Sequence, residues 1–504
     1  MSTSPSMPND SISTFDQFID LCSRSNDFVT ANLNINSSCT FIAHYLKTLV
    51  DQSHLEQLIH SLQNPHDAHE IKSLDQLKQY NPFEGSFVTN DLDKIESSVF
   101  GGFLLIQEEH KSDAFLLIPI TGKQGLRTDN DTDVEFSVVG PKIGFIEDID
   151  TNVHLVRMQL RTPRLIVREL TVGTISKTKV VMMYLDGIAN PDNVSMMEAR
   201  IREIEFDIIL DTTQLDELIT DNHNTPFPLF TTSERRDRVV FALISGQIAV
   251  STDGSPYFIT GPSTLFDFFL SPEDYYLPWV LGSFFRVIRI TGVVFSLFAS
   301  ALYVALLTHH YEVIPKELLG RLIYSRQNVP FPPVLEALVL EATVEFLREA
   351  GARLPSRIGQ TLGIVGGVIL GQAAVDAALT SNILIIVVSL SALTSFVTPI
   401  YKMSNAIRFI RFPMIILAAM WGLFGIAVGL SFLLLHLSRL ESLGSPYTVP
   451  FFPLRAKDLN DRFIRAPFSL TSNRPGYLRP PFLKRYETPK KQRKKSKIDE
   501  EGYV

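Results

Sequence analysis

The longest apolar runs of the chain all lie in its second half. Four runs of about 20 residues carry almost no charge, and their lengths match the roughly 20 residues that a helix needs to cross a bilayer. They predict an α-helical transmembrane bundle within a membrane domain over 283–437. The four predicted membrane helices are 287–307, 358–378, 382–400 and 415–437. A further segment, 333–350 (PVLEALVLEATVEFLREA), has one charged and one apolar side and predicts an amphipathic helix.

The first half has shorter apolar runs, which predict a domain of mixed helices and strands. The runs at 102–107 (GFLLIQ) and 114–120 (AFLLIPI) are typical of short strands, and 180–185 (VVMMYL) is typical of a buried strand. Apolar residues on one side of 194–204 predict a helix, and 3–4 spacing of apolar residues predicts helix from 15 to about 63. The fold class is therefore α/β for this half, followed by the helical bundle.

A polar stretch divides this α/β domain into two predicted subdomains. Residues 121–133 (TGKQGLRTDNDTD) contain two glycines and few apolar residues, which is typical of a linker. We expect one subdomain over 15–125 and a second over 134–282. Residues 1–14 are small and polar and are expected to be disordered.

The N-terminus lacks the cationic start and apolar core of a signal peptide. We therefore expect a cytoplasmic N-terminal domain, with the first membrane helix serving as the insertion signal. Four spans would return the Pro-rich, basic C-terminal tail, 438–504, to the cytoplasm, in agreement with the positive-inside rule. They would also place the basic loop 401–411 outside. That conflict disappears if 333–350 also crosses or re-enters the membrane, but the tail would then lie outside.

Composition adds little evidence for chemistry. The chain has 504 residues, a net charge of −8 and two cysteines, Cys22 and Cys39, which fits a reducing compartment, although one disulfide between them stays possible. No phosphate-binding loop, dinucleotide fingerprint, HExxH or CxxC motif is present. We therefore expect no enzyme activity, no cofactor and no metal site; His309 and His310 are adjacent and would not face one another on a helix.

A ladder of glycines marks the second predicted membrane helix. Gly359, Gly363, Gly367 and Gly371 recur every four residues, with Gly366 beside them. Positions i and i+4 share a helix face, so the ladder forms a groove that another backbone can approach closely. It predicts an oligomer interface or the wall of a pore, and ordinary packing within one subunit is the alternative.

The amphipathic segment 333–350 carries an acidic stripe of Glu341, Glu345 and Glu349, which are four residues apart. Facing a pore, a ring of such carboxylates would attract cations. The alternative is a helix face that meets solvent or a partner.

The C-terminal tail contains a dense basic cluster, including Lys490, Lys491, Arg493, Lys494 and Lys495. Basic clusters next to a membrane helix attract anionic lipid. No aromatic-studded basic domain accompanies the cluster, so we expect no nucleic-acid partner.

Ordered motifs from about residue 15 to 470 resemble the A subunit of bacterial spore germination receptors. They include 135–145 (EFSVVGPKIGF), 271–276 (SPEDYY), 309–315 (HHYEVIP), 347–355 (LREAGARLP) and 364–375 (IVGGVILGQAAV). Arg236 stands where the family usually has proline, and the last 30 residues diverge.

The resemblance implies a subunit of a nutrient germinant receptor in the inner membrane of the spore. Its partners would be a transporter-like B subunit, which binds the nutrient, and a lipoprotein C subunit. Members of the family are thought to form a homo-oligomeric ring that conducts cations when germination is triggered. The alternatives are a non-conducting scaffold of the receptor and a secondary transporter, although the spans show no internal repeat.

Overall fold

The structure is a computed structural model of the chain, and it describes residues 14–36, 39–62, 71, 73–108, 111–121, 132, 135, 139–353, 371–459 and 461–486. The predicted disordered N-terminus, 1–14, lies outside these residues except for Thr14.

The first described part of the chain forms a five-stranded antiparallel sheet with the strand order β1-β2-β4-β5-β3. Its strands are β1 Phe28–Asn36, β2 Cys39–Leu46, β3 Phe87–Thr89, β4 Phe103–Glu108 and β5 Lys111–Pro119. Its helices are α1 Phe15–Ser23, α2 Gln52–Leu62, α3 Leu74–Tyr80 and α4 Leu92–Val99.

Both faces of this sheet are covered by helices. Along β4, Leu104 and Ile106 pack with residues of α2 and α3, whereas Leu105 packs with residues of α1 and α4. A strand buried on both faces is apolar at successive positions instead of alternating. The predicted strands at 102–107 and 114–120 are confirmed. The helix predicted from 15 to about 63 is wrong for 28–36 and 39–46, which are the antiparallel strands β1 and β2.

A second antiparallel sheet follows, with the strand order β6-β7-β9-β10-β8. Its strands are β6 Leu165–Val172, β7 Thr178–Leu185, β8 Thr231–Ser233, β9 Ile248–Thr252 and β10 Phe258–Gly261. Its helices are α5 Ile149–Gln159, α6 Pro191–Arg202, α7 Thr212–Ile219 and α8 Arg236–Ser245. Val180 and Met182 face α6 and α7, and Val181 and Met183 face α5 and α8. The predicted mixture of helix and sheet is confirmed, but the described strands pair antiparallel, so the arrangement is that of α+β proteins.

Local signals in the sequence begin and end these helices. Asn190 accepts a hydrogen bond from the backbone N–H of Asp192 and Pro191 follows it, which starts α6. Gly246 ends α8 in the left-handed region, with φ at 104°. A Cβ on Gly246 would also lie 3.2 Å from the carbonyl oxygen of Ile188, so glycine suits both the turn and the packing.

A buried ion pair joins the two sheet units. Arg157 on α5 donates to both carboxylate oxygens of Asp27, at 2.9 and 2.7 Å, and both side chains are almost fully buried. Burial would raise the pKa of Asp27, but the charge of Arg157 and hydrogen bonds from Arg157, Ser25 and Thr48 outweigh it and lower the pKa. The pair therefore fixes the first unit against the second.

The second half of the described chain is helical. Its helices are α9 Glu273–Tyr276, α10 Trp279–Thr308, α11 Lys316–Arg326, α12 Pro333–Arg353, α13 Asn382–Ser395 and α14 Tyr401–Arg439. Residues 371–376 are also helical. Among the described residues, α10 and α14 are long and apolar enough to cross a membrane, and α13 is a shorter apolar helix. Helix α10 begins eight residues before the predicted start at 287 because 279–286 continue the same helix.

Helix α14 is two helices that fold back on each other. Gly422 has φ 63° and ψ −138°, which no helix contains, and it separates α14a (401–421) from α14b (423–439). A Cβ on Gly425 would lie 1.9 Å from the carbonyl oxygen of Leu417, so the two halves touch backbone to backbone. The loop predicted at 401–411 is therefore wrong, because these residues form about three turns of α14a.

The helices share one end with the α+β domain. Lys402, at the start of α14a, donates to Asp216 of α7, and the His436 ring near the end of α14b hydrogen-bonds Thr225 at 2.9 Å. At the opposite end, the ring of His309 contacts the carbonyl oxygen of Ala419 at 2.9 Å, next to the Gly422 turn. Helix α10 and the α14 hairpin thus run between the α+β domain and a far end.

After α14 the chain returns to the α+β domain. The short pair β11 Glu441–Ser442 and β12 Ser445–Pro446 leads to Tyr447, whose hydroxyl donates to the carbonyl oxygen of Pro228 at 2.8 Å. Residues 455–459 and 461–485 then extend across α8 and the segment before α10.

Candidate functional site: a charged network between the apolar helices

A buried network of charged and hydroxyl groups links α10, α12 and α14a. Arg411 of α14a donates to Glu341 of α12 at 2.6 Å, and only 1% of each side chain is exposed. Arg411 also donates to Ser296 of α10 at 2.6 Å, and Ser300 of α10 donates to the other carboxylate oxygen of Glu341. Charges this far from water are stable only when they are paired and hydrogen-bonded.

The next acidic residue of α12 pairs with the next arginine of α14a. Arg408 donates to Glu345 at 3.2 Å, and Arg348 lies 3.8 Å from the same carboxylate. Arg348 also donates to Ser395 at the end of α13 and lies over the ring of Phe396, 4.3 Å from its centre. A cavity of about 260 Å³ adjoins this pair.

Glu336 makes the third polar contact of α12, at the end of the helix that is farther from the α+β domain. It accepts from the backbone N–H of Ser381 at 2.6 Å and from the hydroxyl of Thr380 at 3.1 Å, and Arg326 of α11 lies 3.2 Å away. Tyr303 of α10 shares a 2.9 Å hydrogen bond with the Ser381 hydroxyl. Polar contacts therefore hold α12 along its length.

The three residues of the predicted acidic stripe have different environments. Glu341 is fully buried, Glu345 is partly exposed, and Glu349 is 63% exposed and pairs with Arg353 on the same helix. The stripe thus runs from the inside of the bundle to its surface. The expectation that it attracts cations stays a prediction, since the partners described here belong to a single chain.

Sequence reasoning missed the arginine partners because it placed 401–411 in a loop. A signal was present: Arg408 and Arg411 are three residues apart, and Glu341 and Glu345 are four apart, so each pair occupies one helix face. Antiparallel helices would bring such pairs together in the order Glu341–Arg411 and Glu345–Arg408.

The other predicted site residues lie mostly outside the described residues. Gly359, Gly363, Gly366 and Gly367 are among these, and so are Lys490, Lys491, Arg493, Lys494 and Lys495. Gly371 is described, and a Cβ there would meet no other described residue within 4 Å. Both the glycine interface and the lipid-binding tail stay predictions.

A second charged cluster anchors the start of α10. Asp274 of α9 is buried and accepts from Arg286 at 3.0 Å and from Arg289 at 3.0 and 3.1 Å. Arg286 also donates to the carbonyl oxygen of Asp461, at 2.6 Å. A Cβ on Gly282 would lie 2.5 Å from the carbonyl oxygen of Asp274, so this junction requires a glycine. The cluster connects the first apolar helix with both the α+β domain and the C-terminal segment.

The Lys402–Asp216 pair is a further connection between the two halves. Burial raises the pKa of Asp216, and the charge of Lys402 opposes that rise. In the ranges that the structure describes, no group of three or more His, Cys, Asp or Glu side chains is placed to hold a metal ion. Cys22 is a free, buried thiol, and burial raises its pKa to about 12, so it is unreactive at neutral pH.

Comparison with known proteins identifies the family. Residues 16–477 match the Bacillus/Clostridium GerA spore germination protein family. Spore germination protein GerQA of Bacillus cereus is 46% identical over 475 residues, which cover 94% of each chain. Spore germination protein GerIA of the same species is 45% identical over 94% of this chain and 71% of its own. Spore germination protein A1 of Bacillus subtilis (strain 168) is 37% identical over 88% of this chain and 90% of its own.

A solved structure covers part of the same region. The N-terminal domain of the A subunit of the Bacillus megaterium spore germinant receptor GerK3 aligns with 50% of this chain and 96% of its own, at 24% identity and a TM-score of 0.38. With the family match over 16–477 and relatives of up to 46% identity, the predicted relationship is confirmed. The chain belongs to the GerA family of spore germination proteins, the family of germinant receptor A subunits.

Proposed function

We propose that the chain is the membrane signalling subunit of a nutrient germinant receptor, and that it oligomerises into a cation channel that opens when germination is triggered. The observation that carries this is the buried Glu341–Arg411 network between apolar helices. Ionisable groups inside membrane helices are costly and usually mark ion pathways, relays or moving parts. Its partners would be the transporter-like B subunit, which binds the nutrient, and the lipoprotein C subunit.

The bend in α14 supports a multi-pass arrangement with the α+β domain in the cytoplasm. Helix α12 also runs between the two ends, because Glu336 contacts Ser381 near the far end and Glu345 lies beside Arg408 near the α+β domain. We infer six passes: α10, α12, the predicted helix 358–378, α13, α14a and α14b. An even number returns the basic tail to the cytoplasmic side.

Six passes would also resolve the conflict over the basic residues at 401–411. Lys402 contacts the α+β domain, so it would lie on the cytoplasmic side, as the positive-inside rule requires. Arg408 and Arg411 would lie inside the bundle as partners of α12. The 21 residues of α14a span about 31 Å, close to the thickness of a bilayer core.

The glycine ladder and the basic tail have roles in this arrangement that stay proposals. No described residue lies within 4 Å of a Cβ on Gly371, which suits an approach by another copy of the chain. The tail cluster at 490–495 would hold anionic lipid at the cytoplasmic surface of the spore's inner membrane.

Potassium flux from liposomes tests the proposed channel. We expect liposomes that contain the complete receptor to release potassium when a mixture of amino acids, sugars and nucleosides is added as the trigger. Liposomes that contain a receptor without this chain should not release it. Equal release without this chain would make it a non-conducting scaffold. That alternative has one observation in its favour, since the described carboxylates of the stripe are already paired with arginines. Uptake of a labelled nutrient by the purified chain alone would instead indicate a transporter.

A further inference from the structure

A large cavity lies between the α+β domain and the C-terminal segment. Its volume is about 1190 Å³, somewhat above the range of about 300–1,000 Å³ for small-molecule sites. One wall is formed by α8 and by Tyr275 and Tyr276, just before α10, and the other by residues within 455–458 and 461–485. The charged network of α12 does not contribute to it.

Two arginines that line the cavity, Arg474 and Arg485, donate hydrogen bonds to uncharged acceptors. Arg474 is buried and donates to the carbonyl oxygens of Ile244, Phe482 and Lys484, at 2.8–3.0 Å. Arg485 donates to the hydroxyl of Ser245 at 2.7 Å. Neither forms an ion pair with any residue in the described ranges, although the charge of Asp461, which also lines the cavity, acts on Arg485.

One donor in this pair lacks an acceptor. The Nε of Arg485 is buried and has no hydrogen-bond partner among the described residues. A buried donor without an acceptor is costly, so an anion that supplies one would bind favourably. Burial, and to a smaller extent the charge of Arg485, lower the pKa of Arg474 to about 10.

The rest of the cavity wall is apolar and open. Phe241, Phe468, Leu470 and Leu483 all line it, and between 40% and 62% of each is exposed. Clustered exposed apolar side chains on a soluble surface are unusual and mark a binding site. An occupant therefore needs an apolar body as well as an anionic group.

The position of the cavity favours a lipid as that occupant. Trp279, three residues after Tyr276, begins α10 and is exposed, and Phe284 and Phe285 on the next turns are exposed as well. Exposed aromatic residues at the start of an apolar helix are typical of the membrane surface. The basic part of the tail, 490–497, is repelled by the same arginines, so that part does not suit the cavity.

We propose that this cavity binds one anionic phospholipid, with its phosphate between Arg474 and Arg485 and its acyl chains against Phe241, Leu470 and Leu483. This proposal depends on the membrane location proposed above, because the membrane would supply the lipid, but it does not depend on ion conduction. A bound lipid would also touch Tyr275, whose hydroxyl donates to Asp461 at 2.6 Å, and Asp461 in turn contacts Arg286 of α10. The membrane composition could thereby affect the anchor of the first apolar helix.

Native mass spectrometry of the full-length chain, released from a neutral detergent, tests the site. We expect one short-chain phosphatidylglycerol to be retained per chain, and at least about tenfold weaker retention of phosphatidylcholine with the same acyl chains. Arg485→Gln should weaken phosphatidylglycerol retention by about tenfold or more, as loss of a charged hydrogen bond predicts. Arg485→Lys, which keeps the charge, should recover part of it.

Arg479→Gln is the matched control, because Arg479 lies in the same segment, is exposed and does not line the cavity. Arg485→Gln is preferred over a change at Arg474, which supports three backbone carbonyls and whose loss endangers the segment itself. Three results would each overturn the proposal. The first is equal retention of both lipids, and the second is an equal loss of retention in Arg479→Gln and Arg485→Gln. The third is competition by inorganic phosphate alone at a concentration similar to that of the lipid. The lipid site and the channel can be tested separately. We expect Arg485→Gln to lose phosphatidylglycerol but to keep the potassium flux from liposomes. A wild-type chain that retains the lipid but gives no flux would refute only the channel.

Discussion

Removing the charge of Glu341 tests whether the Arg411 pair stabilises the helix bundle. In Glu341→Gln the amide keeps the shape of the carboxylate and can still accept from Ser300, but Arg411 loses its counter-charge. Only 1% of the Arg411 side chain is exposed, so water cannot replace the lost partner. Breaking a buried pair by removing one partner costs about 3–5 kcal/mol, and we expect that loss here.

The matched control is Glu349→Gln, at the exposed end of the same stripe. Glu349 is 63% exposed and pairs with Arg353 on its own helix, so its loss should cost about 0.2–1 kcal/mol. The double variant Glu341→Gln/Arg411→Gln leaves no unpaired charge. It should be more stable, by about 2 kcal/mol or more, than the sum of the two single effects predicts.

Tryptophan fluorescence during denaturant titration of the detergent-solubilised chain provides the assay. Both tryptophans of the chain, Trp279 and Trp421, lie in α10 and α14, so their emission reports on the helices that carry the network. The reasoning is refuted if Glu341→Gln and Glu349→Gln destabilise equally, or if the effects of Glu341→Gln and Arg411→Gln simply add.

Three further changes test other parts of the structure. Arg157→Ala leaves Asp27 buried without its partner and should lower the free energy of unfolding by about 3–5 kcal/mol. It should also split the calorimetric unfolding of the α+β domain into two transitions. A single transition at the wild-type temperature would count against the interface. Burial lowers the pKa of His44 to about 4, so its neutral form is favoured in the folded state, and stability should fall by about 2–3 kcal/mol as the pH drops from about 6.5 to 4, measured by urea titration. His44→Gln should remove most of that dependence, and an unchanged pH profile would contradict it. Gly422→Ala should lower the melting temperature, since Gly422 has φ +63° and its Cβ would lie 2.6 Å from the His310 ring, whereas Gly320→Ala, a helical site with open space, should leave it unchanged or raise it.

The sequence predicted the strands of the α+β domain best where both sheet faces are covered. The run VVMMYL at 180–185 lies in β7 and is apolar throughout, because Val180 and Met182 face one pair of helices and Val181 and Met183 the other. In β2 the pattern misled, since Ile42 and Tyr45 are only half-buried while Phe41 and Leu46 are fully buried. The apolar residues of this strand therefore do not alternate with polar ones, and their spacing along the sequence is similar to that of an amphipathic helix.

The charged network leaves a spacing pattern in the sequence, but no local signal connects its partners, which are far apart along the chain. Arg411 is 70 residues from Glu341, and each residue taken alone is consistent with a solvated position. The bend in α14 was missed for a different reason: Gly422 lies in a continuous apolar run, and glycine alone does not distinguish a bend from close helix packing. The bend becomes evident only from tertiary contacts, in which Gly425 lies against Leu417 and Gly422 against His310.

Potassium release from spores carrying charge variants tests the central claim, that the Glu341–Arg411 network serves signalling within the membrane helices, most directly. With the nutrient mixture as the trigger and matched receptor levels, Glu341→Gln and Arg411→Gln spores should release potassium far more slowly than wild type. Glu349→Gln spores should resemble wild type, and the exchange Glu341→Arg/Arg411→Glu should recover part of the release. Wild-type release from both single variants would contradict the account.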